Sequence, residues 1–207
     1  GGKTIPTFFI GTPPIVTTFG NHHLSSFGQM NQVLDWIKNV ESLKTYELSN
    51  SKNSILASLR ATAANIDSFR REGLSAEYYS TRPAPHEWSL VEIISHLADV
   101  DGEVNIPRLM LIQNQNNPFI EAALTDQWAE ERNYIKNDPI ESINKFIKNR
   151  KTLIEIIIDL KNDQWSKTIN HAIFGPTKVS ELLKFTTQHD RIHLTQLFNT
   201  LKIVKNT

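Results

Sequence analysis

The chain has 207 residues, with 22 basic against 22 acidic, a pI near 7.2 and 39% hydrophobic residues. That favours one domain, or a domain with an extension, and supplies enough apolar material for a core. The even charge balance argues against a broad basic surface for nucleic acid or anionic lipid, and no apolar run approaches the roughly 18 residues of a membrane span. With no cysteine, disulfides, thiolate nucleophiles and cysteine-based zinc sites are excluded, a usage that suits a cytoplasmic protein.

Residues 1–28 resist assignment: Thr4 to Phe19 is apolar but broken by Pro6, Pro13 and Pro14, and reads either as a strand-like arm on a neighbour or as disorder. Met30, Val33, Leu34 and Ile37 then recur at helical spacing, which predicts a short helix over 29–46. Residues 1–50 are therefore read as an N-terminal extension and 51–207 as the main domain. A helix is expected from about Ser51 to Arg71, with Ile55, Leu59, Ala63, Ile66 and Phe69 on one side and Gly73 as its stop signal. Tyr78 to Glu87, with Pro83 and Pro85, reads as a loop.

Ser89 and Glu92 have capping-box spacing and open the next helix. It carries Leu90, Ile93, Ile94, Leu97, Val100 and Val104, and Gly102 and Pro107 should loosen or kink it. Asn114 to Pro118 ends it, and a long polar connection follows to Asn137, with one helical turn around Asp126 to Tyr134. Asp138-Pro139 starts a third helix reaching Leu160, with Ile140, Ile143, Ile147, Ile154 and Ile158 expected on its buried side. Phe174-Gly175-Pro176 is a turn, and Thr177 is the expected N-cap of a last helix over Val179 to Ile203. No stretch alternates with a period of two, so almost no sheet is expected. The fold class is all-α: an up-down four-helix bundle with a long crossover between its second and third helices.

His189 and His193 stand four residues apart on that last helix, in the stripe Leu182, Thr186, His189, His193, Leu197 that should turn inward. Two neutral imidazoles in an apolar interior need partners, and a metal ion is one. His96, inside the second helix at the border of its buried stripe, is the candidate third ligand. The alternative is a core histidine satisfied by hydrogen bonds. His171 is expected to be exposed, His86 to lie at a pocket mouth, and Trp88, Trp128 and Trp165 to serve in packing, with a substrate pocket as the second role for Trp128.

Arg82-Pro83-x-Pro85-x-x-Trp88-Ser89, followed by Glu92-Ile93-Ile94-Ser95-His96-Leu97-Ala98-Asp99, resembles the second-helix signature of the DinB-like superfamily. Gln188-His189-Asp190-Arg191-Ile192-His193-Leu194 resembles its last-helix signature. The resemblance covers roughly residues 51–203 and is closest to the YfiT-type metal-dependent hydrolases. It implies one divalent metal ion held by His96, His189 and His193, with positions left open for water, and zinc and nickel both suit such ligands. It also implies a small-molecule substrate and, together with the 29–46 helix, a homodimer.

Asp99 and Glu103 lie one and two turns from His96, and Asp190 neighbours His189. These three carboxylates are the catalytic candidates, as orienting groups or bases; the plainer reading makes them solvated or salt-bridged. Gln196, one turn from His193, is a further candidate to orient a ligand. The function expected first is hydrolysis. Alternatives are an S-transferase or isomerase that brings a small thiol to the metal, a non-catalytic stress-related binding module, and a metal-free helical dimerisation domain.

Overall fold

The computed structural model describes residues 51–206, so the helix expected over 29–46 lies outside the described residues. Helix α1 (Lys52–Ser68) begins at Ser51, whose hydroxyl accepts the Ser54 N–H at 3.1 Å. It tightens into a 3₁₀ turn over Phe69–Arg71, and Gly73 ends the run at φ +63°, a left-handed conformation that costs glycine little. The expected loop from Tyr78 begins instead inside a short helix, α2 (Ala76–Ser80). Tyr79 is buried there and its hydroxyl donates to the Phe69 carbonyl at 2.8 Å, which fixes the turn that sequence periodicity was too short to reveal.

The capping box forms as the spacing predicts. The Ser89 N–H and hydroxyl both donate to Glu92 Oε2 at 2.8 Å at the start of α3 (Leu90–Val100). The expected kink takes the form of a π turn over Asp101–Asn105, which leads without a break into α4 (Ile106–Asn114). The Ile106 N–H donates five residues back, to Asp101. Pro107, at the first turn of α4, has no N–H to give, and the wider turn accommodates it.

The crossover holds β1 (Phe119–Ile120), α5 (Trp128–Glu131) and a 3₁₀ turn at Tyr134–Lys136, which matches the helical turn expected around 126–134. Helix α6 (Pro139–Asp159) is capped by Asp138, whose Oδ1 accepts the Glu141 N–H at 2.8 Å. After α7 (Asn162–Ser166) come β2 (Thr168–His171) and β3 (Gly175–Lys178), then α8 (Val179–Val204). The three strands form one small sheet in the order β1-β2-β3, parallel and then antiparallel, with Ile120 opposite His171 and His171 opposite Gly175. Strands of two and four residues are too short for alternation to show in sequence. Lys178 replaces Thr177 as the N-cap of α8, its N–H donating to the Glu181 carboxylate at 2.8 Å.

Helices α1 and α3 each pack on both α6 and α8, so the four long helices close a bundle in which chain neighbours α1 and α3 sit across from each other. The core has two apolar layers. One gathers Leu59, Leu109, Ile112, Leu153, Val179 and Leu183, and the other Ile66, Phe69, Leu90, Leu97, Phe146 and Leu197. Between them each bundle helix changes to buried polar residues: Thr62 on α1, Asp101 at the π turn, Arg150 on α6, and Thr186, Asp190 and His193 on α8. This explains the one misplaced helix face. Ile140 and Ile158 are 44% and 46% exposed, and the buried stripe of α6 is Ile143, Phe146, Arg150, Leu153, Ile157. An arginine at its centre hid that stripe from a count of apolar residues.

Candidate metal centre

His96 is fully buried on α3 rather than at the edge of its stripe, and faces His189 and His193 on α8. The three rings meet where the bundle turns polar. His189 Nε2 lies 3.3 Å from His96 Nε2 and 3.2 Å from His193 Nε2, and one ligand atom from each ring falls within 4.8 Å of the others. Nitrogens bound to a tetrahedral ion at zinc–imidazole distances would stand roughly 3.3 Å apart.

Burial is the main cause that holds all three below the ordinary histidine range, and their mutual repulsion adds to it at His96 and His189. The rings are therefore neutral near pH 7, the form that ligates a metal. Gln196 Oε1 lies 2.9 Å from His193 Nδ1. With that oxygen accepting, the proton of His193 sits on Nδ1 and the lone pair on Nε2 points into the cluster. His96 Nδ1 is buried with no hydrogen-bond partner among the described residues, the backbone of Thr125 being the polar group that acts on it. Neutral imidazole pairs can share one proton between two nitrogens, but three converging Nε2 atoms cannot all be satisfied this way. A cation satisfies them together, so the residues present fit a divalent metal ion.

The flanking groups divide the work. The Trp88 ring lies parallel to His193 within 7°, at 5.8 Å between centroids, and tilts over His96 at 4.9 Å. Asp190 turns away from its neighbour His189 to take both terminal nitrogens of Arg150, whose Nε donates to Asp101 at 2.6 Å. Burial disfavours charge on Arg150, but Asp190 and Asp101 outweigh it and hold its pKa above the ordinary value. Asp101 is pushed up, by burial and by Asp190. Asp99 accepts from Lys145, Tyr134 and Arg132, and these bonds overcome its burial and hold its pKa down. Glu103 takes a two-pronged bond from Arg132 at 2.7 and 2.9 Å, and the same guanidinium lies 3.8 Å over the Trp128 ring. The structure thus brings the three histidines and Gln196 together, while Asp99, Glu103 and Asp190 make their hydrogen bonds to arginine, lysine and tyrosine.

A family model of the DinB superfamily matches residues 58–197, more than half of the chain. The chain belongs to the DinB superfamily. It is 24% identical over 139 residues to the uncharacterized protein YuaE of Bacillus subtilis, an alignment spanning 61% of this chain and 85% of YuaE. Its fold is similar to that of YfiT from Bacillus subtilis, described as a probable metal-dependent hydrolase with an unusual four-helix bundle topology. The TM-score is 0.63 at 17% identity, over 72% of this chain and 85% of that one.

The two stretches that carry the DinB resemblance now have physical roles. Arg82 grips the fully buried Glu92 with Nε, at 3.0 Å, and with Nη2, while Glu92 caps α3 through Ser89. That clamp sets the start of the helix whose second turn presents His96, and it leaves Trp88 against the histidines. Four participants were not legible in sequence. Arg150 and Asp101 look like surface charges until the bundle closes. His171, expected to be exposed, is 2% exposed because β2 runs under the crossover strand. Asp126, in the crossover, has a buried Oδ2 without a partner among the described residues, and burial raises its pKa to about 7.

Proposed function

We propose that this DinB-superfamily protein is a metal-dependent hydrolase of a small-molecule substrate, holding one divalent ion, zinc or nickel, with His96, His189 and His193. The observation that carries the reading is the convergence of three neutral imidazoles, with His189 Nε2 3.3 Å from His96 Nε2 and 3.2 Å from His193 Nε2. The description of YfiT supports the same chemistry. When bound, such an ion supplies Lewis acidity toward a carbonyl or phosphoryl oxygen and acidifies water.

The chain's own residues do the rest. Gln196 holds the His193 tautomer, and Trp88 walls the cluster with an aromatic face that excludes water from one side. Arg150 ties Asp190, and with it the helical turn that carries His189 and His193, to the π turn that follows α3. In this reading Asp190 positions α8, and Asp99 and Glu103 anchor the crossover through Arg132. The same reading takes the protein to be cytoplasmic and a homodimer, with the exposed apolar side chains of Met110, Phe119 and Leu124 as described surface that a second copy could cover.

The test is elemental analysis of protein purified without a metal-affinity tag, beside His96→Ala and His193→Ala. About one equivalent of a first-row metal is expected in the wild type, lost in both variants. Ester, amide and phosphoester substrates are then screened with and without an added low-molecular-weight thiol. Turnover that requires the thiol would replace hydrolysis by S-transfer on the same centre. Absence of metal after reconstitution with zinc and nickel would remove the enzymatic reading.

A further inference from the structure

Arg108, on α4, differs from the other arginines held in the fold. Arg82, Arg132 and Arg150 each face at least two carboxylates. The guanidinium of Arg108 instead donates to a backbone carbonyl, that of Glu121, at 2.7 Å, and no carboxylate lies within ion-pair distance of it among the described residues. A partly buried cation without an anion is costly, and burial alone lowers its pKa to about 10. An anion that pairs with it in use would offset that cost.

Its place in the fold shows what it stands beside. Glu121 directly follows Ile120, and Ile120 is the register partner of His171, so the bond to Glu121 brings Arg108 to the end of the sheet where His171 is buried. His171 Nδ1 accepts the Ile173 N–H at 3.1 Å, so the neutral ring carries its proton on Nε2. That Nε2–H has no acceptor among the described residues. The ring stacks on Phe174 at 4.5 Å, which fixes its plane. The charge of Arg108 also reaches both histidine groups. After burial, it is the second cause that lowers His171, to about 4, and it contributes to the depression at His189. One guanidinium without a carboxylate partner therefore stands at the sheet end that holds a donor imidazole, and its charge is felt at the three-histidine cluster.

We propose that Arg108 and His171 form an oxyanion subsite beside the histidine centre, so that the substrate carries a carboxylate or phosphate close to the group that reacts. A guanidinium fork takes two oxygens of such a group, and a fixed neutral N–H adds a third contact without adding charge. The substrate class this selects is a small anionic molecule, which deepens the hydrolase reading and rests on it. The overall charge balance of the chain is no obstacle, because the subsite draws on one local cation rather than on a basic surface.

The experiment uses the full chain in two forms, chelator-treated and cobalt(II)-loaded, as wild type, Arg108→Gln, Arg108→Lys and His171→Gln. Thermal melts establish that each variant folds, and cobalt uptake establishes whether each keeps the metal centre. Inorganic phosphate and, separately, acetate are titrated calorimetrically into the metal-free protein, and into the cobalt protein by visible absorption. Wild type binds at least one of the two anions. Arg108→Gln weakens that anion about tenfold or more at unchanged cobalt stoichiometry, Arg108→Lys weakens it less, and His171→Gln falls between. Preference for phosphate assigns a phosphorylated substrate, and preference for acetate a carboxylate.

Wild type that binds neither anion, or Arg108→Gln that binds as wild type does, overturns the subsite. Should Arg108→Gln not fold, wild-type affinity in both Arg108→Lys and His171→Gln overturns it equally. Failure of the metal reading shows separately: no cobalt uptake, with phosphate or acetate binding still lost in Arg108→Gln, upholds the subsite and removes the hydrolase.

Discussion

Arg150 meets Asp190 with both terminal guanidinium nitrogens, one residue along α8 from His189. The same side chain reaches Asp101 at the π turn and lies 3.5 Å from the Leu59 carbonyl on α1, so one arginine links all four bundle helices at the polar level of the core. Removing it strands two buried carboxylates. Arg150→Met is expected to lower unfolding free energy by about 3–5 kcal/mol, and the combined Arg150→Met, Asp101→Asn, Asp190→Asn protein should recover much of that loss. Urea unfolding followed by circular dichroism reads both, and a triple variant no better than the single one would refute the account.

Metal should stabilise the fold by mass action. At a free metal concentration a hundred times the dissociation constant, the wild type gains about 2.7 kcal/mol. His193→Ala should gain little, because only two of the three converging nitrogens remain. Melting temperatures with and without zinc, compared after chelator treatment, check this.

Gln196 meets His193 at Nδ1, on the other side of the ring from the Nε2 that faces His189, so its removal should loosen a bound metal without unfolding the protein. Gln196→Ala is expected to weaken metal affinity about 10- to 100-fold at an almost unchanged melting temperature. Competition against a chromophoric chelator measures the affinity. Gln196→Glu should restore much of it, since a carboxylate accepts the same Nδ1–H.

A Cβ at Gly102 would fall 2.6 Å from Asn149 Nδ2, whose present bond is to the Ala98 carbonyl at 2.9 Å. Asn149 is the end of a movable side chain, so Gly102→Ala should displace it and forfeit that bond, at a cost of ~1–2 kcal/mol. Asn149→Ala should cost a similar amount. The double variant should lose little more than either single one, and full additivity in denaturation would count against the contact.

Asp126 gives a pH signature. Burial raises its folded pKa to about 7, above the unfolded carboxylate value. The unfolded chain thus releases this proton first as pH rises. The stabilising contribution is complete below about pH 4 and is lost as pH climbs through about 7. Asp126→Asn, which mimics the protonated form, should therefore be more stable than wild type at pH 8, with the difference fading toward pH 4. Equal stability at pH 8 would show that the carboxyl is not held neutral.

The parts of this molecule that were legible in sequence are those written in local chemistry. Ser89 and Glu92 announce a helix start, Asp138-Pro139 announces another, and His189 and His193 share a face because a helix has 3.6 residues per turn. The rest depends on distant partners. The centre of the α6 face is an arginine whose partners lie 40 and 49 residues away, so a search for apolar stripes rotated that helix onto Ile140 and Ile158. His171 reads as exposed in sequence because the strand that covers it, only two residues long, carries no pattern of its own. Asp99, Glu103 and Asp190 sit near the histidines along the helices, yet direction within a turn decides contact, and their side chains lead to Arg132, Lys145 and Arg150.

His96 and His189 are 93 residues apart in the chain yet touch, because the first stands on α3 and the second, with His193, on α8. Any partly folded species in which α8 has not docked holds only the α3 imidazole, with nothing for it to converge with. If the proposed centre binds metal, tight capture is an assay of finished topology. It would mark the moment at which α8 closes the bundle, and a chain in which that helix is undocked would not sequester the ion.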